Sequence, residues 1–151
     1  PQLAETIANA LILKNLEVFH KNLQQILLQT MSYHDFNRNP ENAFHAFMSG
    51  LLVWLTGIYE VKSNRESGKG RYDLALIPLK ENIPAYIFEF KSILYLEETT
   101  LPQARVEKEL ELALGQINSQ KYDTELKARG ISEMTKVALV FYGKEVWIKS
   151  V

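Results

Sequence analysis

The sequence predicts an α/β fold in which a mixed central sheet of about five strands is flanked by helices. Amphipathic stretches with three- and four-residue spacing open the chain, apolar and alternating runs follow, and a long charged helix separates two groups of strands. The 151 residues suffice for one domain, with a hydrophobic fraction of 46% and a charged fraction of 23%. These values are ordinary for a globular chain and exclude disordered and fibrous classes.

The first predicted element is helical and runs from about residue 3 to residue 31. Leu16, Phe19 and Leu23 recur at three- and four-residue intervals between polar residues, which is typical of an amphipathic helix. A break near Lys14 divides the stretch into two helices. We expect residues 1–31 to be an N-terminal helical extension that packs on a core domain of residues 32–151.

A second helical region follows a polar loop at residues 33–39. Asn39 is suited to the N-cap and Pro40 to the first helical position, so a helix is expected to start there. Apolar residues then recur as far as Leu55, and Gly57 is expected to end the helix.

The rest of the chain predicts strands, with one further helix between the third and the fourth. Residues 65–70 are expected to form a loop, Glu81 and Asn82 a turn, and residues 102–126 a charged helix. The predicted strands are residues 59–63, 72–78, 85–91, 137–141 and 145–149.

The charge and the residue usage exclude several classes of function. The formal net charge is -1, so a polyanion would have to bind at a local basic patch or through metal ions. The absence of cysteine excludes disulfide scaffolds, thiolate zinc sites and cysteine nucleophiles, and it agrees with a cytoplasmic location. The chain has no signal-peptide pattern and no apolar run of about 20 residues. It begins with Pro1, from which we expect a fragment of a longer protein.

The segment Glu89-Phe90-Lys91 is the first candidate for chemistry. Side chains alternate along a strand, so Glu89 and Lys91 point to one face and Phe90 to the other. Glu89 offers a hard oxygen ligand for magnesium, and Lys91 could hold or deprotonate an attacking water. Alone, an acid and a lysine with this spacing more often form a solvated ion pair on a surface strand.

A second acid, Asp73, lies one predicted hairpin before Glu89. Neighbouring antiparallel strands are about 5 Å apart, so the two carboxylates could bind one ion together. A basic stretch precedes Asp73, in which Arg71 is expected to share its strand face and could grip a phosphate. A plain hairpin with solubilising charges is the alternative interpretation. The cations of the basic stretch are Lys62, Arg65, Lys69 and Arg71.

In combination these segments resemble the PD-(D/E)XK nuclease superfamily, over about residues 32–148. They look closest to a bacterial branch that is usually found C-terminal to an AAA-ATPase-like domain. Tyr72 stands where the superfamily's name has proline, and the acidic ligand after it is intact. The segments that carry the resemblance are residues 41–45, 63–73, 87–91 and 113–122.

The resemblance implies a restriction-endonuclease-like core and a nuclease that hydrolyses phosphodiester bonds of nucleic acid, with DNA as the expected substrate, by metal-activated water. It implies Lys91 as the catalytic lysine beside Asp73 and Glu89. The implied ligands of Mg²⁺, with Mn²⁺ as the alternative ion, are Glu41, Asp73, Glu89 and the main-chain carbonyl of Phe90. The implied substrate-binding residues are Arg71, Gln116, Tyr122, Arg65 and Lys69.

Two other functions stay open at this point, because one fold can host several functions. The domain could be an inactive module that binds nucleic acid, or a protein-interaction module that docks through its N-terminal helices onto an ATPase-like domain of the same polypeptide. The three histidines, His20, His34 and His45, lack metal-ligand spacing. Glu107, Glu109 and Glu111 are interpreted as a solvated helix face.

Overall fold

The structure is a computed structural model that describes residues 2–30, 48–66, 71–96, 99–117 and 122–151, with the backbone alone at residues 30, 64–66 and 71–73. Residues 48–52 are helical and lead into a 3-10 turn, Val53–Leu55. The helices are α1 (Gln2–Ile12), α2 (Leu16–Thr30), α3 (Gln103–Gln116) and α4 (Asp123–Ala128). The strands are β1 (Tyr59–Glu66), β2 (Arg71–Pro78), β3 (Ala85–Ile93), β4 (Met134–Tyr142) and β5 (Glu145–Ser150).

The five strands form one mixed sheet in the order β1-β2-β3-β4-β5. Strands β3 and β4 are parallel, and the other neighbours are antiparallel. Parallel neighbours need a crossover connection, which α3 and α4 supply between β3 and β4. The predicted mixed sheet of about five strands with flanking helices is confirmed.

Two predicted boundaries were wrong. Strand β1 continues through Arg65 and Glu66, which were assigned to a loop, because they pair with Tyr72 and Arg71 on β2. The helix predicted over residues 102–126 ends at Gln116.

The reason for the early end of α3 is the burial of two residues that follow it. Ile117 and Leu126 lie in the same apolar cluster. They are nine residues apart, so a single helix with about 3.6 residues per turn would point them to opposite sides. Ile117 has an extended backbone instead, and α4 begins at Asp123.

One face of the sheet is covered by α1 and α2, which are separated where the sequence predicted a break. Lys14, at that break, has a φ of 56°. Phe19 of α2 packs against Phe88 of β3 with ring centroids 5.8 Å apart. The cluster that joins the helices to the sheet includes Ile7, Leu11, Phe19, Leu23, Leu27, Leu74, Leu76, Phe88, Phe90, Leu139 and Phe141.

Polar contacts also fix α2 and α1 to the sheet. His20 Nε2 lies 2.7 Å from the carbonyl oxygen of Val146, and the Gln24 amide donates to Lys144 O at 2.6 Å and accepts from Val146 N at 2.9 Å. The Tyr86 hydroxyl donates to Leu11 O at 2.5 Å. His20 is therefore a structural residue of the helix–sheet contact.

The opposite face of the sheet is covered by α3 and α4. Val106, Leu110 and Ala113 of α3 are buried against side chains of β3 and β4. Within the described ranges, no helix is both long and apolar enough to cross a membrane.

Candidate active site

Strands β2 and β3 bring the two predicted acidic ligands together. Asp73 and Glu89 are direct partners in the antiparallel register, and Arg71 is the partner of Lys91. Directly opposite residues of an antiparallel pair project to the same face of the sheet. The backbone thus puts these four positions on the face that α3 and α4 cover.

Glu89 is the one buried charged residue among the described side chains, with 6% of its surface exposed. It follows the buried residues 85–88 of β3 and lies opposite Ala138 of β4. Burying a carboxylate costs free energy unless a charged or hydrogen-bonding group compensates. A buried acid opposite a second acid suits a cation site, because each carboxylate supplies the oxygen that a divalent ion binds.

Lys91 is held by a residue of the crossover helix. Its Nζ forms an ion pair with Oε2 of Glu109, and the side chains of Lys91 and Glu109 are 26% and 13% exposed. The interpretation of Glu109 as part of a solvated face was wrong. The helical phase explains this, since Glu109 lies three residues after Val106 and four before Ala113, beside the buried stripe.

The two neighbouring acids behave as predicted. Glu107 and Glu111 have side chains that are 53% and 61% exposed. Both pair with Lys149 of β5; the Glu107 Oε2–Lys149 Nζ distance is 3.8 Å. Lys149 therefore ties one flank of α3 to the sheet edge, and Lys91 ties the other flank to β3.

The remaining predicted residues with described positions differ in exposure. Gln116 is exposed at the end of α3, seven residues after Glu109 and hence on the same flank of the helix. Tyr122 is buried in the cluster with Ala75 and Ile77. Phe90 points into the cluster on the opposite face, as the alternation predicts.

Several predicted residues lie outside the described part of the chain. Among the side chains that are described, no group of three histidine, cysteine or carboxylate residues converges as a metal site. The three-acid arrangement therefore stays a prediction, since Glu41 and the Asp73 side chain belong to the undescribed set. That set also includes Lys69, His34, His45 and the side chains of Arg65 and Arg71.

Lys62, one of the cations of the basic stretch, anchors α4 to β1. Its Nζ lies 2.5 Å from Glu125 Oε2 and 3.9 Å from Glu60 Oε1. Arg129 completes the network by pairing with Glu60 and with Glu125, the latter at 2.8 Å. The hydrogen bond that Arg129 donates to Glu60 lowers the pKa of Glu60. The hydrogen bond that Lys62 donates to Glu125 raises the pKa of Lys62.

This network predicts a pH-dependent contribution to stability. Because folding lowers the pKa of Glu60 below its ordinary 4.5, its contribution is present above that value and is lost as the pH falls through the folded-state pKa. We expect Glu60→Gln to lower Tm at neutral pH and to match the wild type in strong acid. Thermal unfolding of both chains from neutral pH to strong acid checks this prediction. A difference in Tm that stays the same at every pH would contradict it.

Comparison with known families agrees with this geometry. The profile of the PD-(D/E)XK nuclease superfamily matches residues 39–151, well over half of the chain. The matched region contains the whole sheet, α3 and α4. The chain belongs to this superfamily. No curated protein matches the chain significantly.

Proposed function

We propose that the protein is a metal-dependent nuclease that hydrolyses phosphodiester bonds of nucleic acid. The observation that supports this most is the register of β2 and β3, in which Asp73 is the direct partner of the buried Glu89. Lys91 follows on the same face of the sheet. Membership of the nuclease superfamily agrees with that arrangement.

The residues proposed to hold the cation are Asp73, Glu89, Glu41 and the main-chain carbonyl of Phe90. Oxygen ligands suit Mg²⁺, with Mn²⁺ as a substitute. When bound, such an ion lowers the pKa of a bound water and offsets the charge that develops on the phosphate. Lys91 would orient the attacking water or steady a phosphate oxygen with its ammonium group.

We propose DNA as the substrate, bound along the β1–β2 end of the sheet and the adjacent flank of α3. Arg71 shares the site face, and Arg65 and Lys69 belong to the same basic stretch, so they would contact phosphates. Gln116, exposed on the Glu109 flank, would contact the substrate, whereas the burial of Tyr122 supports a role in ordering the site.

The resemblance to the ATPase-associated branch suggests a second partner. We propose that residues 1–31 form an extension through which the nuclease domain adjoins an ATPase-like domain of the same polypeptide. Leu13, which follows α1, and Leu28 of α2 are exposed and would be available to that domain. A cytoplasmic location is proposed with it.

A cleavage assay tests the nuclease proposal. The chain is incubated with supercoiled plasmid, linear duplex, single-stranded DNA and RNA, each with Mg²⁺, with Mn²⁺ and with a chelator. We expect metal-dependent cleavage that Lys91→Ala reduces about a hundredfold or more, the range lost with an electrostatic catalytic group. Lys108→Ala, an exposed lysine of α3, is the matched control and should keep wild-type activity.

Three results would contradict the proposal. In the first, no polynucleotide is cleaved. In the second, cleavage persists when the chelator is present. In the third, the Lys91→Ala variant is as active as the wild type. Binding of nucleic acid without cleavage would favour the inactive module.

A further inference from the structure

The proposed nuclease mechanism uses Lys91 but does not use its contact with Glu109. Lys91 Nζ meets Oε2 of Glu109, an oxygen that is buried and that receives no hydrogen bond of regular geometry from the described residues. Among the described residues, the ion pair with Lys91 is therefore the interaction that offsets the cost of burying this carboxylate oxygen.

The energetics of the pair favour a role in function over one in stability. An exposed pair such as Lys149–Glu111 is surrounded by water and adds little to stability. A pair withdrawn from water must first lose its hydration, so it stabilises a fold little or not at all compared with apolar side chains. Lys91 and Glu109 occupy a half-buried position beside an apolar cluster, so the pair loses hydration that a hydrophobic contact at this position would not lose.

The position of Glu109 is fixed by the packing of α3. Val106, Leu110 and Ala113 seat the helix on the sheet by packing against apolar side chains of β3 and β4. The helix is therefore restrained against rotation about its axis, and Glu109 presents its carboxylate to β3 from a rigid element. Groups held on rigid elements keep a reacting geometry better than groups on loops.

Lysine needs such support more than other catalytic side chains do. Its ammonium ends a flexible four-carbon stem, so many rotamers compete with the one that places the charge correctly. Lys91 has acidic positions on its own side of the sheet, because Glu89 precedes it by two residues and Asp73 lies opposite Glu89. A carboxylate on α3 draws the ammonium towards the helix side of the site.

We propose that Glu109 is a positioning residue that holds the ammonium of Lys91 at one place on the α3 side of the site. The proposal rests on the proposed nuclease function and adds a residue to it. Glu109 acts through Lys91, so its removal should slow the chemical step and leave substrate binding nearly unchanged.

The test has one arm that does not depend on activity. In ¹⁵N spectra of the lysine ammonium groups, a paired and partly buried ammonium exchanges its protons slowly with water and is visible, and Lys91→Ala identifies its signal. We expect Glu109→Gln to remove or strongly broaden this signal. Glu111→Gln is the matched control, since it breaks an ion pair of the same helix with Lys149 instead, and it should leave the Lys91 signal in place.

The second arm is kinetic. We expect Glu109→Gln to lower kcat by about ten- to a hundredfold, the effect of a misplaced catalytic group, with KM nearly unchanged. In the Lys91→Ala background it should add nothing, because the two residues act as one unit. Glu109→Asp keeps the charge on a shorter side chain and should restore part of kcat, whereas Glu111→Gln should match the wild type.

Each outcome separates the two proposals. An unchanged Lys91 signal in Glu109→Gln, or additive kinetic effects with Lys91→Ala, overturns the positioning role while the nuclease stands. A paired Lys91 in a wild-type chain that cuts no polynucleotide refutes the nuclease, and with it the role of Glu109 in a reaction. Equal loss in Glu109→Gln and Glu111→Gln shows a general effect on α3 and also overturns the role.

Discussion

Replacing Glu89 with glutamine is expected to lower phosphodiester cleavage at least about a thousandfold. The amide keeps the shape of the side chain but removes an anionic oxygen from the proposed cation site, where several kcal/mol of charge stabilisation arise. The variant should also lose a second property. Mg²⁺ or Mn²⁺ should raise Tm of the wild type by binding the folded state, and this shift should disappear in Glu89→Gln.

Glu81→Gln is the matched control for that result. Glu81 is exposed in the turn that joins β2 to β3, at the far end of the same hairpin, so both cleavage and the metal-induced shift should be preserved. A Glu89→Gln chain that still cuts at the wild-type rate, or that keeps the shift, would show that the cation is not bound at this carboxylate.

The second large effect concerns stability. Phe19 of α2 is fully buried and contacts the ring of Phe88. Phe19→Ala should lower the free energy of unfolding by about 3–5 kcal/mol, because it leaves a cavity between helix and sheet. Urea denaturation should show one cooperative transition, since α1 and α2 share an apolar cluster with the strands.

Leu13→Ala provides the comparison for this measurement. Leu13 follows α1 and is 78% exposed, so its truncation should change the free energy of unfolding by no more than about 0.5 kcal/mol. A loss below about 1 kcal/mol in Phe19→Ala, or two separate transitions, would mean that α1 and α2 fold apart from the sheet.

The sequence predicted the strands well because each carries a pattern that is local. The alternation in residues 85–91 put Phe88 and Phe90 on one face and Glu89 on the other, and the structure has this arrangement. The polar end of β1 was missed, since Arg65 and Glu66 are strand residues only because β2 pairs with them. Tertiary pairing overrode local propensity there.

The part of the site that the sequence missed depended on helical phase. Glu107, Glu109 and Glu111 look alike in a charged run, yet only the middle one reaches β3. A usable signal was present, because Val106 and Ala113 define the buried stripe and Glu109 lies three and four residues from them. That Glu109 pairs with Lys91, however, depends on how α3 crosses the sheet, and no local pattern in the sequence contains this information.

The alternation of aromatic and charged residues along β3 also protects the strand from mispairing. A shift of one residue would turn Glu89 and Lys91 into the aromatic layer beneath α2, and it would move Phe88 and Phe90 to the face that carries the candidate site. Dehydrating an ion in this way costs several kcal/mol. The charges proposed for catalysis thereby also select the correct alignment of the strand during folding.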